Sequence, residues 1–115
     1  MSKSDEQLVA AVAQAYFEAW FDADEARMDR VLHPHLVKRR AAGELGITTK
    51  ERMLELTRAG EGRVDGADRR LEISVDTIGR ELASATVRAA VYTEVLQLVR
   101  TRDGWQIANA LWEPA

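Results

Sequence analysis

A long amphipathic helix is indicated at residues 4–24, which read SDEQLVAAVAQAYFEAWFDAD. Ser4 and Gln7 have the spacing of a capping box, in which the serine caps the first turn and the glutamine reaches back to it. From Leu8 to Phe21 the large apolar side chains recur at steps of three and four residues. This spacing predicts one helix with a wide apolar face over four turns.

Two shorter helices are expected next. Asp24 can cap the first of them, and Pro34 is expected to end it, because the residue before a proline is pushed out of the helical region. Residues 36–42 should then be extended. Residues 48–51, TTKE, form a second capping box and predict a third helix that runs to about Ala59, with a glycine as its C-cap.

The apolar period changes from 3.6 to 2 after a glycine-rich loop. Leu71, Ile73 and Val75 alternate with polar residues, and alternation continues through residues 83–91. Further strands are predicted at residues 95–100 and 105–112, and the short links between them favour an antiparallel meander. The expected fold class is α+β, with three N-terminal helices packed on a strongly curved antiparallel sheet that encloses a pocket.

The composition excludes several classes of function. The chain has 115 residues, 46% hydrophobic and 30% charged, with a formal charge of −3 and no cysteine. We therefore expect a single domain over residues 1–115, no disulfide or cysteine-ligated metal, and no nucleic-acid partner. The sequence has no segment of signal-peptide or membrane-spanning type, so we expect a cytoplasmic protein without a membrane partner.

Several stretches are similar to a known superfamily. They are YFEAWFDAD at 16–24, LHPHLVKR at 32–39, LQLVR at 96–100, DGWQI at 103–107 and NALW at 109–112. Together they resemble the nuclear transport factor 2-like superfamily, with the best match to its putative lumazine-binding (SnoaL-like) branch. The resemblance implies a cone-shaped domain, a bent sheet wrapped around the first helix, and frequent dimerisation through the outer sheet face.

Ketosteroid isomerase, an enzyme of this superfamily, provides a residue-by-residue comparison. Its oxyanion tyrosine lies eight residues before an aspartate that opens the second helix, and Tyr16 and Asp24 have that spacing. Its general base would fall at Arg40, which cannot accept a proton, and its second oxyanion acid near Val95 or Leu96. The resemblance therefore does not imply steroid isomerisation by that mechanism.

Four aromatic or apolar residues are candidates for the pocket wall. Tyr16 and Trp20 lie one turn apart, so a tyrosine hydroxyl could donate to a ligand carbonyl beside a stacking indole. Both could equally be core residues, since aromatics at helical spacing usually are. Met53, on the apolar side of the third helix, and Trp112, in the last strand, are further ligand-binding candidates.

Four basic residues are candidates for proton transfer or charge. His33 and His35 flank Pro34, and either could carry a proton near neutral pH or serve only the structure. Lys38 and Arg40 share one face of an extended segment and could bind an anionic or carbonyl-rich ligand, or form a solvated rim. The spacing of the histidines does not suit a metal, and we expect neither metal nor cofactor.

The function predicted is that of a small-molecule pocket protein. One interpretation is a cofactor-independent acid/base enzyme of the cyclase, isomerase or dehydratase class, acting on an apolar carbonyl-bearing or anionic ligand. The alternative is a non-catalytic dimeric binding or scaffold module. A homodimer is expected through a sheet face that bears Ser84, Thr86, Ala108 and Ala110. In the last strand, Trp105 has an odd number and Trp112 an even one, so they are predicted to face opposite sides of the sheet.

Overall fold

The computed structural model describes residues 3–43, 46–63 and 68–115. Its first helix, α1 (Asp5–Asp22), begins with the capping box that the sequence predicts. The Ser4 side chain accepts from the Gln7 backbone N–H, and the Gln7 side chain accepts from the Ser4 backbone N–H. It ends at Ala23, which takes a left-handed conformation with φ of 55°. No helix in the described ranges is both long and apolar enough to cross a membrane.

The second helix, α2 (Glu25–Val31), is capped by Asp24 as expected but ends before Pro34. Leu32 is already extended and opens strand β1 (Leu32–Arg40). Pro34 lies where the pairing of this strand is irregular, between the paired residues Leu32 and Val37. A proline has no N–H to donate to the hydrogen-bond ladder of a sheet, so a strand accommodates a proline best where its pairing is irregular.

The third helix, α3 (Lys50–Arg58), starts one residue later than the TTKE pattern suggests. Thr49 is the N-cap, and its side chain accepts from the Arg52 backbone N–H. At the other end the Gly60 N–H donates to the Thr57 carbonyl and the Glu61 N–H to that of Leu56, which is a Schellman motif. Gly60 has a φ of 78°, which a glycine adopts without strain.

The helices pack on one mixed sheet of six strands, which confirms the α+β class. The remaining strands are β2 (Ile47–Thr48), β3 (Leu71–Ile78), β4 (Leu82–Ala89), β5 (Tyr92–Thr101) and β6 (Gly104–Pro114), in the spatial order β2-β1-β6-β5-β4-β3. The expectation of a wholly antiparallel sheet is wrong at one place, because β1 pairs with β6 in parallel. The chain between these two strands, which includes α3, supplies the long crossover that a parallel pair needs.

A bulge in β6 changes which residues face the helices. The register between β5 and β6 skips Ala108, so the alternation of side chains shifts by one residue there. Trp105 and Trp112 consequently lie on the same, helix-covered side, and the prediction from their numbering is wrong. Ala110, expected on the outer face, is buried in the core opposite Leu96 for the same reason.

Candidate functional site

A cavity of about 270 Å³ opens between α1, α3 and the inner face of the sheet. Its wall is mostly apolar and aromatic, with a few polar groups, as is usual for small-molecule sites. The lining residues are Tyr16, Phe17, Trp20, Lys38, Thr48, Met53, Leu56, Glu61, Tyr92, Glu94 and Trp112.

Three polar side chains, Tyr16, Lys38 and Glu94, bond to one another at the cavity and are called the polar cluster below. The Tyr16 hydroxyl donates to Glu94 Oε2 at 2.6 Å, and Lys38 Nζ donates to the Tyr16 oxygen at 2.6 Å. Lys38 Nζ is also 3.5 Å from Glu94 Oε2. Tyr16 is 2% exposed and Glu94 3%, so each of these buried polar groups has a hydrogen-bond partner.

Aromatic rings surround the Lys38 ammonium. Its nitrogen lies 5.2 Å from the ring centroid of Tyr16 and 5.9 Å from those of both Trp20 and Trp112. The face of an aromatic ring attracts a cation at such distances. The cavity wall therefore stabilises the lysine charge in a place where only 13% of its side chain is exposed.

Burial raises the pKa of Tyr16 well above its usual value, and the nearby Glu94 carboxylate raises it further. The phenol therefore keeps its proton across the physiological range and donates it in a hydrogen bond to Glu94. Because the Tyr16 oxygen also accepts from Lys38, the hydroxyl is already engaged on both sides. The groups left to meet a ligand are the remaining donors of Lys38 and the second oxygen of Glu94.

The fold brings the polar cluster together from three distant elements. Tyr16 lies on α1, Lys38 on β1 opposite Ala110 of β6, and Glu94 on β5 opposite Trp112 of β6. The strand β6 thus lies between the lysine and the glutamate strands in the sheet. Its inward residues set the spacing of the charged pair.

Five of the sequence-predicted site residues line the cavity: Tyr16, Trp20, Lys38, Met53 and Trp112. Arg40 is not among the lining residues; its guanidinium lies 5.5 Å from the ring centroid of Trp112 and is exposed.

The two histidines lie outside the cavity lining. His33 and His35 sit at the start of β1, where the His35 backbone N–H donates to His33 Nδ1 at 3.0 Å. Their ring centroids are 5.7 Å apart. Within the described ranges, no three His, Asp or Glu side chains come together as a metal site.

Sequence reasoning missed Glu94, the one buried acid of the cavity. Residues 92–98, YTEVLQL, alternate so that Glu94 is in phase with Leu96 and Leu98, which are both buried. The strand predicted at residues 95–100 does not include Glu94, whereas β5 already begins at Tyr92.

Residues 59–63, called the loop after α3 below, lie at one side of the cavity. Glu61 lines the cavity, and the neighbouring Gly62 is buried against the indole of Trp20. A Cβ placed on Gly62 would lie 2.3 Å from three atoms of that ring, closer than real contacts allow. Only glycine lets this loop approach Trp20 so closely.

A sheet with three helices on one face and a largely aromatic cavity between them defines the class of nuclear transport factor 2-like proteins. Within that class the chain belongs to the family described as putative lumazine-binding, whose sequence profile matches residues 4–113. A comparison with curated proteins found no match.

Solved structures share the fold at low sequence identity. An NTF-2 like protein of unknown function from Silicibacter pomeroyi has a TM-score of 0.81 at 16% identity, over 99% of this chain and 100% of the other. A ketosteroid isomerase-like protein from Erwinia carotovora atroseptica has a TM-score of 0.68 at 22% identity, over 95% and 96%. An NTF2-like protein from Cytophaga hutchinsonii has a TM-score of 0.75 at 13% identity, over 98% and 100%.

Proposed function

We propose that the chain is a cofactor-independent acid/base enzyme of the SnoaL-like kind that acts on a small carbonyl compound. The observation that carries this proposal is Glu94, a carboxylate 3% exposed in an aromatic cavity and 3.5 Å from the Lys38 ammonium. A base and a cation side by side suit removal of a proton next to a carbonyl group. A chain without cysteine suits the reducing cytoplasm, where we propose that it acts.

The proposed step uses the two groups of the polar cluster that face the ligand. The ligand carbonyl oxygen accepts from Lys38 Nζ, and Glu94 takes a proton from the carbon beside the carbonyl. The electron pair of the broken C–H bond moves onto the oxygen as an enolate, whose charge the ammonium stabilises. Glu94 then returns the proton to another carbon of the enolate system in an isomerase, or to a hydroxyl that leaves as water in a dehydratase. In a cyclase the enolate carbon attacks a second carbonyl carbon of the same ligand, the π pair of that carbonyl moves onto its oxygen, and this oxygen takes the proton from Glu94.

Tyr16 has a positioning role in this proposal. Its hydroxyl joins Lys38 to Glu94 and holds both groups in place, while the phenol itself transfers no proton because its pKa is raised by burial. This differs from the expectation that Tyr16 donates to the ligand. The walls formed by Phe17, Trp20 and Trp112 would bind a flat apolar body.

The experiment uses acetophenone, a flat aromatic ketone, as the probe. Binding is followed by the fluorescence of the cavity tryptophans, and NMR in D₂O follows exchange of the methyl protons beside the carbonyl. We expect wild type to accelerate exchange, Glu94→Gln to abolish the acceleration, and His35→Ala, outside the cavity, to leave it unchanged. Exchange that depends on His35 and not on Glu94 would overturn the assignment.

A non-catalytic binding module is the second candidate, and one observation favours it. The three polar groups already satisfy one another, so the cavity can exist without turnover. The same experiment separates the two functions. Saturable binding of acetophenone without accelerated exchange would overturn catalysis and support the binding module.

A further inference from the structure

The loop after α3 places a second carboxylate at the cavity. Glu61 lines the same cavity as Lys38 and Glu94, and Glu61 itself is exposed to solvent. Across residues 3–43, 46–63 and 68–115, Glu61 takes part in no ion pair. It is therefore an unmatched negative charge at the edge of a ligand cavity.

The position of Glu61 is fixed by its backbone. Its N–H donates to the Leu56 carbonyl at 3.1 Å, and the Arg63 N–H returns to the Gly60 carbonyl at 3.1 Å. Gly62, the next residue, packs against the Trp20 ring. The carboxylate thus stands on a hydrogen-bonded turn held to the cavity wall.

The charges of the lining residues do not balance. Lys38 is paired with Glu94 through the Tyr16 hydroxyl and also directly, at 3.5 Å. This pair of opposite charges contributes no net charge to the cavity. Arg40, the second cation expected at the site, lies outside it over Trp112. The excess charge is the single carboxylate of Glu61.

We infer that the ligand carries a positively charged amino group, which Glu61 binds while the carbonyl end meets Lys38. The wall supports this charge type, because Trp20, Tyr92 and Trp112 present aromatic rings to the cavity and such rings attract cations. An anion would instead face an unmatched carboxylate. The inference rests on the proposed carbonyl site. It adds that the site selects its ligand by charge, with Glu61 as the specificity-determining residue.

The test compares three probes of nearly equal shape: acetophenone, 4-acetylbenzylamine and 4-acetylbenzoate. Each is titrated into wild type, Glu61→Gln and Glu51→Gln. The last variant removes the same charge from an exposed position of α3 that does not line the cavity.

We expect wild type to bind the amine about three- to tenfold more tightly than the carboxylate at low salt, with a smaller ratio at high salt, as for an exposed charge pair. Glu61→Gln should bring the ratio close to one, and Glu51→Gln should keep it. Equal or tighter binding of the carboxylate by wild type overturns the inference, as does a ratio that survives in Glu61→Gln. Failure of acetophenone itself to bind overturns the carbonyl site and with it this inference, whereas acetophenone binding without charge preference overturns the inference alone.

Discussion

Tyr16 joins the two charged groups of the cavity, because its hydroxyl is the only atom of the polar cluster that bonds to both of the others at 2.6 Å. A buried carboxylate needs donors, and Glu94 has this phenol and the more distant Lys38 ammonium. The residue that the sequence suggested as a ligand donor is therefore better described as the group that orients the charged pair.

Replacing Tyr16 with phenylalanine should destabilise the protein. The ring is kept, but Glu94 loses its shortest hydrogen bond while it stays buried, which costs about 1–3 kcal/mol of unfolding free energy. Urea denaturation at neutral pH measures the change. Tyr92→Phe is the matched control: Tyr92 packs its ring on Trp112 and its hydroxyl has no hydrogen bond within the described residues, so a change below about 0.5 kcal/mol is expected. Equal losses in both variants would contradict the bonding of Tyr16.

The buried phenol of Tyr16 should also make the stability of the folded protein depend on pH in the alkaline range. The unfolded chain loses the phenol proton near the ordinary value of 10.0, while the folded chain keeps it to higher pH because burial and Glu94 raise the pKa. Above that value the folded state binds more protons than the unfolded state, so the unfolding free energy falls as the pH rises. The contribution of Tyr16 is therefore fully present below about pH 10 and is lost at higher pH.

The measurement is the difference in unfolding free energy between wild type and Tyr16→Phe, followed from about pH 9 to about pH 11. This difference should shrink as the pH rises, because only wild type has the buried phenol. Titration of the lysines affects both proteins and cancels to first order in the comparison. A difference that stays constant or grows over this range would contradict the raised pKa.

At the scale of the elements, the loop after α3 depends on the absence of one side chain. A Cβ on Gly62 would lie 2.3 Å from the Trp20 ring, whereas one on Gly46 would meet nothing within 4 Å. The contact links the end of α3 to α1 across the cavity edge. It makes the position of the Trp20 indole depend on a residue 42 positions away (62 − 20).

Gly62→Ala should therefore move either the loop or the indole. Overpacking of this kind costs about 1–3 kcal/mol, and the tryptophan emission should change with it. Gly46→Ala is the matched control, with a stability change below about 0.5 kcal/mol and unchanged emission. Urea denaturation and a fluorescence spectrum of each variant make the comparison, and identical behaviour of the two variants would refute the contact.

The elements also show why the sequence predicts some of the site and not the rest. Capping residues and apolar periodicity are local signals, so α1 and its inward Tyr16 and Trp20 follow directly from residues 4–24. The bulge at Ala108 is set by pairing between β5 and β6, and no local pattern announces it. A shift of one residue reverses every inward and outward assignment beyond it. For this reason the sequence wrongly predicts Ala110 on the outer face, and Trp105 and Trp112 on opposite sides of the sheet.

At the scale of the whole molecule, the outer sheet face carries exposed apolar side chains. Val95 and Leu111 are cross-strand partners that are 41% and 47% exposed. They lie with Val37 and Arg39 around a shallow depression on the side away from the helices. An apolar patch of this kind on a sheet is a common feature of protein interfaces.

We expect a homodimer through this outer face. Leu111→Lys places a charge in the patch and should shift the protein towards the monomer, since an unpaired charge at an interface centre is costly. Leu8→Lys, which adds the same charge at an exposed position of α1, should leave the dimer intact. Light scattering at tens of micromolar measures both masses, and a wild-type monomer would exclude the dimer.

The residues that form the cavity are synthesised at different times. Tyr16 and Glu94 are 78 residues apart along the chain, although their oxygens are 2.6 Å apart in space. A ribosome that adds about 5–20 residues per second exposes the tyrosine roughly 4–16 seconds before the glutamate. During that interval the apolar face of α1 has no β5 or β6 to cover it, so chaperones that bind apolar segments have seconds in which to reach the nascent chain.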